Sequence, residues 1–265
     1  GADYVKSNIS LKDSFNYISD QLKSRNMFYN KISPDLTMNS RVLINDLVTS
    51  AVSNGLVIKT SSSVLDIQES DRKIVIKTSD NSFNSHNAAV CSPDLLSKLF
   101  NIPIKVSYAP IAVVEGVPET ENSFVELDYN IKKCINLLRK PNGIGQAGGI
   151  TLNKKKDING YLDYIVKEHQ LRNPELKVID SYVGLKKELV QKGENRNYLY
   201  HINQKSTHLW SIVLGKFSLA FSMAPEFFRR VYHKNPTKDI NNKVFQAEPN
   251  MISRTSWKEI LDNKE

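Results

Sequence analysis

The chain has 265 residues, 40% of them hydrophobic and 24% charged, with a formal net charge of +8. These values leave room for a substantial core and exclude a disordered or collagen-like chain. Two cysteines, Cys91 and Cys134, make no disulfide framework, and the five histidines (His86, His169, His201, His208, His233) include no His-Glu-x-x-His pair or Cys/His cluster, which argues against a metal site.

In chain order, the opening Gly-Ala-Asp-Tyr-Val-Lys lacks the basic head and apolar run of a secretory signal, so a reducing cytoplasm is expected. The Asn8-Ile9-Ser10 sequon is then a chance match. A helix is expected over Leu11–Leu22, followed by a loop ending at Ser33-Pro34-Asp35. From Asn39 the apolar residues Val42, Leu43, Leu47, Val48 and Val52 recur at helical spacing, and Gly55 supplies a C-cap. Short strands are expected at Leu56–Lys59 and Ser63–Ile67. Lys73–Thr78 alternates, and the turn Asp80-Asn81-Ser82 follows it. Ala88-Ala89-Val90-Cys91 is a buried strand, and Ser92-Pro93-Asp94 opens a helix. Strands follow at Ile104–Tyr108, Ile111–Glu115, Phe124–Leu127 and Cys134–Leu138.

The next stretch, NGIGQAGGITLNKKK, contains G-x-G-x-x-G at Gly143, Gly145 and Gly148. In a dinucleotide-binding domain that pattern leaves a strand, turns tightly and opens a helix facing the pyrophosphate. Here a polar turn, Arg139-Lys140-Pro141-Asn142, precedes the first glycine. Downstream, Ile150-Thr151-Leu152 gives way to three lysines in place of an amphipathic helix. No acid ends a second strand about 20 residues on, where a ribose-binding carboxylate would sit. The expectation is a hairpin between strands, with Lys154–Lys156 on a solvated turn.

Asn159–Leu171 carries Tyr161, Leu162, Ile165 and Val166 on one helical face. Strands Tyr198–Ile202 and Leu209–Val213, joined by a polar turn, lead into Gly215-Lys216 and a helix over Leu219–Tyr232. The apolar stretch Leu209–Met223 is interrupted by Lys216 and too short to span a bilayer, so no transmembrane segment is expected. The interleaving defines an α/β chain with a second, antiparallel sheet in its middle. The lysines are spread thinly and lack regular aromatic neighbours, so no nucleic-acid partner is expected.

The segments from about residue 20 to residue 233 resemble the FAD-dependent oxidoreductases of the D-amino-acid oxidase superfamily, the flavin-dependent glycerol-3-phosphate dehydrogenases in particular. NSRVLINDLVTSAVSNGLVIKTSSSVLDI is similar to a helix and strand pair of that family, in which the backbone at the position of Val64 contacts adenine. NAAVCSPDLLSKLF resembles a cofactor-contacting strand that ends in Asn-Ala-Thr-Gly before a helix, which places Ser92 there. GIGQAGGITL falls on strands of the substrate domain. NRNYLYHINQKSTHLWSIVLGKFSLAFSMAPEF resembles the Thr-Arg-Asp-Tyr strand, hairpin and Gly-Gly-Lys-x-Thr-Thr helix start.

The resemblance implies that Arg196 binds the substrate's anionic group, with Tyr198 and Lys186 nearby, and that Lys216 lies beside flavin and substrate. It also implies that Gly215, Lys216, Phe217, Ser218 and Leu219 face the flavin. A helix start and a cation there would stabilise negative charge on the ring. Departures are equally specific. Ala-Val-Cys-Ser-Pro replaces Asn-Ala-Thr-Gly, Lys186 replaces an arginine, Phe221 stands where the glycerophosphate enzymes carry an arginine, and Tyr108–Pro110 has no histidine.

The family's opening strand with G-x-G-x-x-G and its ribose-binding acid are also missing, which leaves three readings: a fragment, a chain completed by a second polypeptide, or a degenerate homologue. The expected architecture is an FAD-binding Rossmann-like α/β layer, incomplete at its N-terminus (1–96 and 191–233). A substrate-binding domain with a mixed or antiparallel sheet (97–190) is inserted, and 234–265 forms an extension. The expected function is oxidation of a C–N or C–OH bond in a small anionic substrate by FAD. The alternative is a non-catalytic binding module that has lost FAD.

Overall fold

A computed structural model of the chain describes residues 39–70, 73–128, 133–190, 199–237 and 252–263. The chain divides into two units, Gly1–Ile44 and Asn45–Glu265. The expected Leu11–Leu22 helix and the residues Arg196 and Tyr198 lie outside the described residues.

Helix α1 (Ser40–Ser53) begins with the Asn39 side chain accepting from the Val42 N–H at 3.3 Å. It ends as its sequence predicts: Gly55 takes φ +96°, its N–H reaches Val52 O, and the Leu56 N–H reaches Ala51 O. These paired bonds make a Schellman turn. The expected strand at Leu56–Lys59 is absent. Leu56, Val57 and Ile58 are exposed and lie beside no strand among the described residues, so their β-favouring composition has no ladder to join.

Three sheets follow. β1 (Val64–Ser70), β2 (Lys73–Thr78) and β3 (Ser82–Ser85) form an antiparallel meander. The second sheet has the order β10-β11-β4, with β4 (Ala88–Val90) parallel to β11 (Leu209–Leu214), and β10 (Tyr200–Gln204) antiparallel to β11. Helix α2 (Pro93–Phe100) follows β4 directly. Ile74, Val90, Leu96, Ile102, Leu209 and Val213 form one core, with Ile67, Ile76, Ile104 and Leu189 packed against it. Each fully buried aliphatic side chain stabilises the fold by about 1.5–3 kcal/mol.

The third sheet, order β6-β7-β8-β5-β9, takes all its strands from between Ile104 and Leu189: β5 (Ile104–Glu115), β6 (Phe124–Asp128), β7 (Lys133–Arg139), β8 (Gly145–Gly149) and β9 (Lys177–Leu189). Every pairing in it is antiparallel. Helix α3 (Ile158–Arg172) covers one face, and Ile165 meets Ala112, Val114, Leu137 and Ala147 in a second core. Tyr161, Leu162 and Val166 line the same helical face, as their spacing predicts.

The sequence suggests two strands at Ile104–Tyr108 and Ile111–Glu115, whereas β5 runs unbroken through Pro110. The reason lies in backbone polarity. Tyr108 exchanges both of its backbone hydrogen bonds with Leu152, at 2.8 and 2.7 Å, on the side of β5 away from β9. Pro110, two residues on, turns its nitrogen to that same side, where the ladder to β8 starts only at Ala112. The missing N–H therefore removes no ladder bond.

Candidate functional site

The glycine-rich stretch is a β-hairpin. Asn142 and Gly143 both lie in the left-handed region (φ 62° and 68°), a type I′ turn joining β7 to β8. The Lys140 N–H closes the hairpin on Ile144 O at 2.8 Å. Gly145, Gly148 and Gly149 sit within or at the end of β8, so the glycines serve strand packing, and no helix opens there.

The cofactor candidates cluster at a strand end. β11 is buried along its length and passes through Gly215 and Lys216 into a 3₁₀ turn (Phe217–Leu219) and helix α4 (Ala220–Tyr232). Trp210 packs edge-to-face on Phe227 at 5.9 Å, and Arg230 Nη1 donates to Ile202 O at 2.9 Å; together they seat α4 on the β10–β11 hairpin. Phe217 and Phe221 form a half-exposed T-shaped pair at 6.3 Å beside this turn.

β4 runs parallel to β11, with Val90 beside Ser211. It leads into α2, whose first turn is capped by Ser92 accepting from the Leu95 N–H at 3.5 Å. The two parallel strands thus deliver two helix starts to one end of the sheet. Ser92 spends its hydroxyl on that cap, a role its place before Pro93 makes legible. Val64 opens β1, in the three-stranded meander, next to a β-bulge.

The substrate candidates divide. Arg196 and Tyr198 precede the described part of the hairpin, in which the Gly215 N–H bonds to Leu199 O at 3.0 Å. Lys186 lies on β9, where its ammonium is 2.7 Å from Glu188 Oε1, a carboxylate with a side chain only 4% exposed. On the same face of the sheet, away from α3, Gln146 Nε2 donates to Tyr182 Oη at 2.7 Å. Burial pushes the Tyr182 hydroxyl above its ordinary range, and the Gln146 bond partly opposes that shift. Buried Ser107 pairs with Lys186 across the β5–β9 ladder and shares the face.

Gln146, Tyr182, Glu188 and Ser107 thus form a polar stripe that the motif resemblance does not reach. The signal for Gln146 was a polar residue alternating with glycines in β8. Tyr182 and Glu188 could be found only from the register of β9 on β5.

No protein-family model and no curated protein sequence matches the chain. Its fold is shared at low identity with solved oxidoreductases, amino acid oxidases among them. NikD, an unusual amino acid oxidase essential for nikkomycin biosynthesis, superposes with a TM-score of 0.55 at 12% identity over 76% of this chain and 58% of NikD. Glycine oxidase from Geobacillus kaustophilus gives 0.54 at 13% identity over 78% of this chain and 55% of that one. The FAD dependent oxidoreductase PA4991 from Pseudomonas aeruginosa gives 0.52 at 11% identity over 82% and 65%. The chain therefore has the mixed α/β fold of these oxidoreductases and spans less than two thirds of each neighbour's length.

Proposed function

We propose that the chain is a flavin-dependent oxidoreductase, or the carboxy-terminal portion of one, that oxidises a C–N or C–OH bond in a small anionic molecule. The observation that carries this reading is the pair of helix starts at the carboxyl ends of β4 and β11, where open α/β sheets bind their ligands, in a fold shared with oxidases. The neighbours named for their substrates, glycine oxidase and an iminodiacetate oxidase from Chelativorans sp. BNC1 with a TM-score of 0.53, favour the C–N bond.

FAD fits the flavin-ring end of this arrangement. The chemistry it supplies when bound is acceptance of a hydride equivalent. The chain leaves the sheet at Gly215, the first N–H groups of the turn at Phe217 and Ser218 have no partner within the turn, and Lys216 adds a positive charge. These groups would offset negative charge at the ring, with Leu219 and the Phe217–Phe221 pair as its apolar wall. Val64 and Ser92 would lie towards the adenosine and phosphate portion.

The substrate anion falls to Arg196, whose guanidinium can grip a carboxylate with two parallel hydrogen bonds, with Tyr198 beside it. Lys186 contributes little net charge because Glu188 balances it. Its role is to complete the polar stripe with Gln146 and Tyr182.

The test is a spectral titration of the purified chain with FAD and with FMN. A saturable shift of the flavin visible band, weakened in Lys216→Met, supports the assignment. An unperturbed band at saturating flavin would overturn it and return the chain to a non-catalytic binding role.

A further inference from the structure

We propose that Gly184 is a specificity position, and that the gap it leaves beside Ala109 receives a planar, uncharged, hydrogen-bonding group at the far end of the substrate. This inference rests on the oxidase reading above and names its substrate class: an amino or hydroxy acid whose side chain ends in a phenol, an amide or a heteroaromatic ring.

Neither backbone nor packing requires a glycine at 184. Its φ lies outside the left-handed region, and among the described residues a β-carbon there would meet only Ala109, at 3.7 Å. The one register shift between β5 and β9 falls at Val113/Val114, away from this position. A glycine inside a strand weakens the sheet, and where no bulge explains it, it marks a close approach of a ligand to the backbone.

Gly184 pairs with Ala109 on the face that carries the polar stripe, between Tyr182 (opposite Ile111) and Lys186 (opposite Ser107). Tyr182 and Lys186 stand about 13 Å apart along β9, and the row between them holds no side chain larger than a methyl group. Gln146 lies on β8, opposite Val113, so its bond draws the Tyr182 phenol across β5 and away from Gly184. The floor left open is backbone and one methyl, against which a ring or an amide can lie flat in close contact.

The polar groups around the gap have bonding capacity to spare. Ser107 is 3% exposed, yet its hydroxyl has no partner among the described residues. Gln146 is 8% exposed and spends its amide N–H on Tyr182, while its carbonyl oxygen has no donor among the described residues. The Tyr182 phenol accepts that bond and keeps its own proton to give. Buried polar groups are ordinarily paired, and a hydroxyl or amide held over Gly184 would pair these. Lys186, the charge beside the gap, is balanced by Glu188 at 2.7 Å, so the group received is neutral.

Saturation-transfer NMR titration of the purified chain with 4-hydroxyphenylacetate and cyclohexylacetate tests this. Both acids carry the carboxylate, and only the first is planar with a polar end. The wild type should bind 4-hydroxyphenylacetate at least about tenfold tighter. Gly184→Val should erase that preference while keeping or raising the melting temperature, because valine favours strands. Ser107→Ala should weaken 4-hydroxyphenylacetate about fivefold at an unchanged melting temperature, since its hydroxyl bonds nothing among the described residues. If Gly184→Val fails to fold, Gly184→Ala, whose β-carbon has room, carries the test. A wild type that binds the two acids alike, or neither, overturns the inference. So does a preference that survives the substitution, or a Gly184→Ala protein with a markedly lower melting temperature. The titration contains no flavin, so it is separate from the spectral test above. Flavin binding without a ring preference overturns this inference alone, whereas a ring preference without flavin binding leaves the subsite standing and removes the redox reading.

Discussion

A β-carbon on Gly149 would collide with the Tyr161 hydroxyl and come within 2.5 Å of Cys134 O. That hydroxyl accepts from the Ile150 N–H at 2.8 Å, so the glycine makes room for the bond that ties α3 to the end of β8. Gly149→Ala is expected to cost about 3 kcal/mol in urea unfolding, the upper range for overpacking. Gly145 differs. Its φ is not positive, so alanine there carries no left-handed backbone cost. A methyl group would instead press on the ends of Leu137 and Val117 at 2.9 Å. These side chains can shift, and Gly145→Ala should cost about 1 kcal/mol. Neither change should alter flavin affinity specifically. Arg196→Lys, in a flavin-loaded form, should raise KM well beyond any change in kcat, because the charge stays while the bidentate geometry is lost. At this scale the sequence was legible where chemistry is local: Asn142-Gly143 announces its turn. The Gln146–Tyr182 bond was not, since it joins residues 36 apart through a register that only the assembled sheet defines.

The β6–β7 hairpin is held on α3 by charge. Lys133 Nζ lies 2.7 Å from Glu126 Oε1 and 2.6 Å from Glu168 Oε2, and Arg172 stacks over Phe124 at 4.0 Å with Nη1 3.8 Å from Glu126. The Glu126 side chain is only 7% exposed. Lys133→Met removes the nearer of the two cations beside that carboxylate, Arg172 remaining, and the expected cost is about 2 kcal/mol. Burial alone would depress the Lys133 ammonium, yet its hydrogen bonds to the two carboxylates outweigh this and hold it above the ordinary 10.5. A folded-state pKa above the unfolded value gives stability that is fully present below 10.5 and lost as pH rises through the raised value. The gap in melting temperature between wild type and Lys133→Met should therefore be constant near neutrality and narrow in strongly alkaline buffer. Helix α3 was legible because Tyr161, Leu162, Ile165 and Val166 recur on one helical face. Pro110 obscured the continuity of β5, whose tolerance of proline depends on which side its neighbours bond. Leu56–Lys59 read as a strand because composition reports strand preference and says nothing of a partner.

For the molecule as a whole, the G-x-G-x-x-G at Gly143 lies in a hairpin, so it offers no helix start to a pyrophosphate. Residues 1–265 alone are expected to bind FAD weakly, and equilibrium dialysis should remove it; stoichiometric FAD that survives dialysis would contradict this. A polypeptide supplying a strand, glycine turn and helix should restore tight binding if the chain is one part of a larger enzyme. The two cores have a further consequence through β5 and β9. Ile104 and Leu189 pack against the core of the first two sheets, while Ala112 and Val114, on the same β5, belong to the core under α3. One twelve-residue strand and its partner therefore serve as a common spar. Any rotation between the layers must twist this ribbon and cannot be taken up in a slack linker. Melting either core also frees the ladder on which the other depends. A calorimetric scan should then trace one endotherm with matching van't Hoff and measured enthalpies, and substitutions in either core should displace that single peak without splitting it.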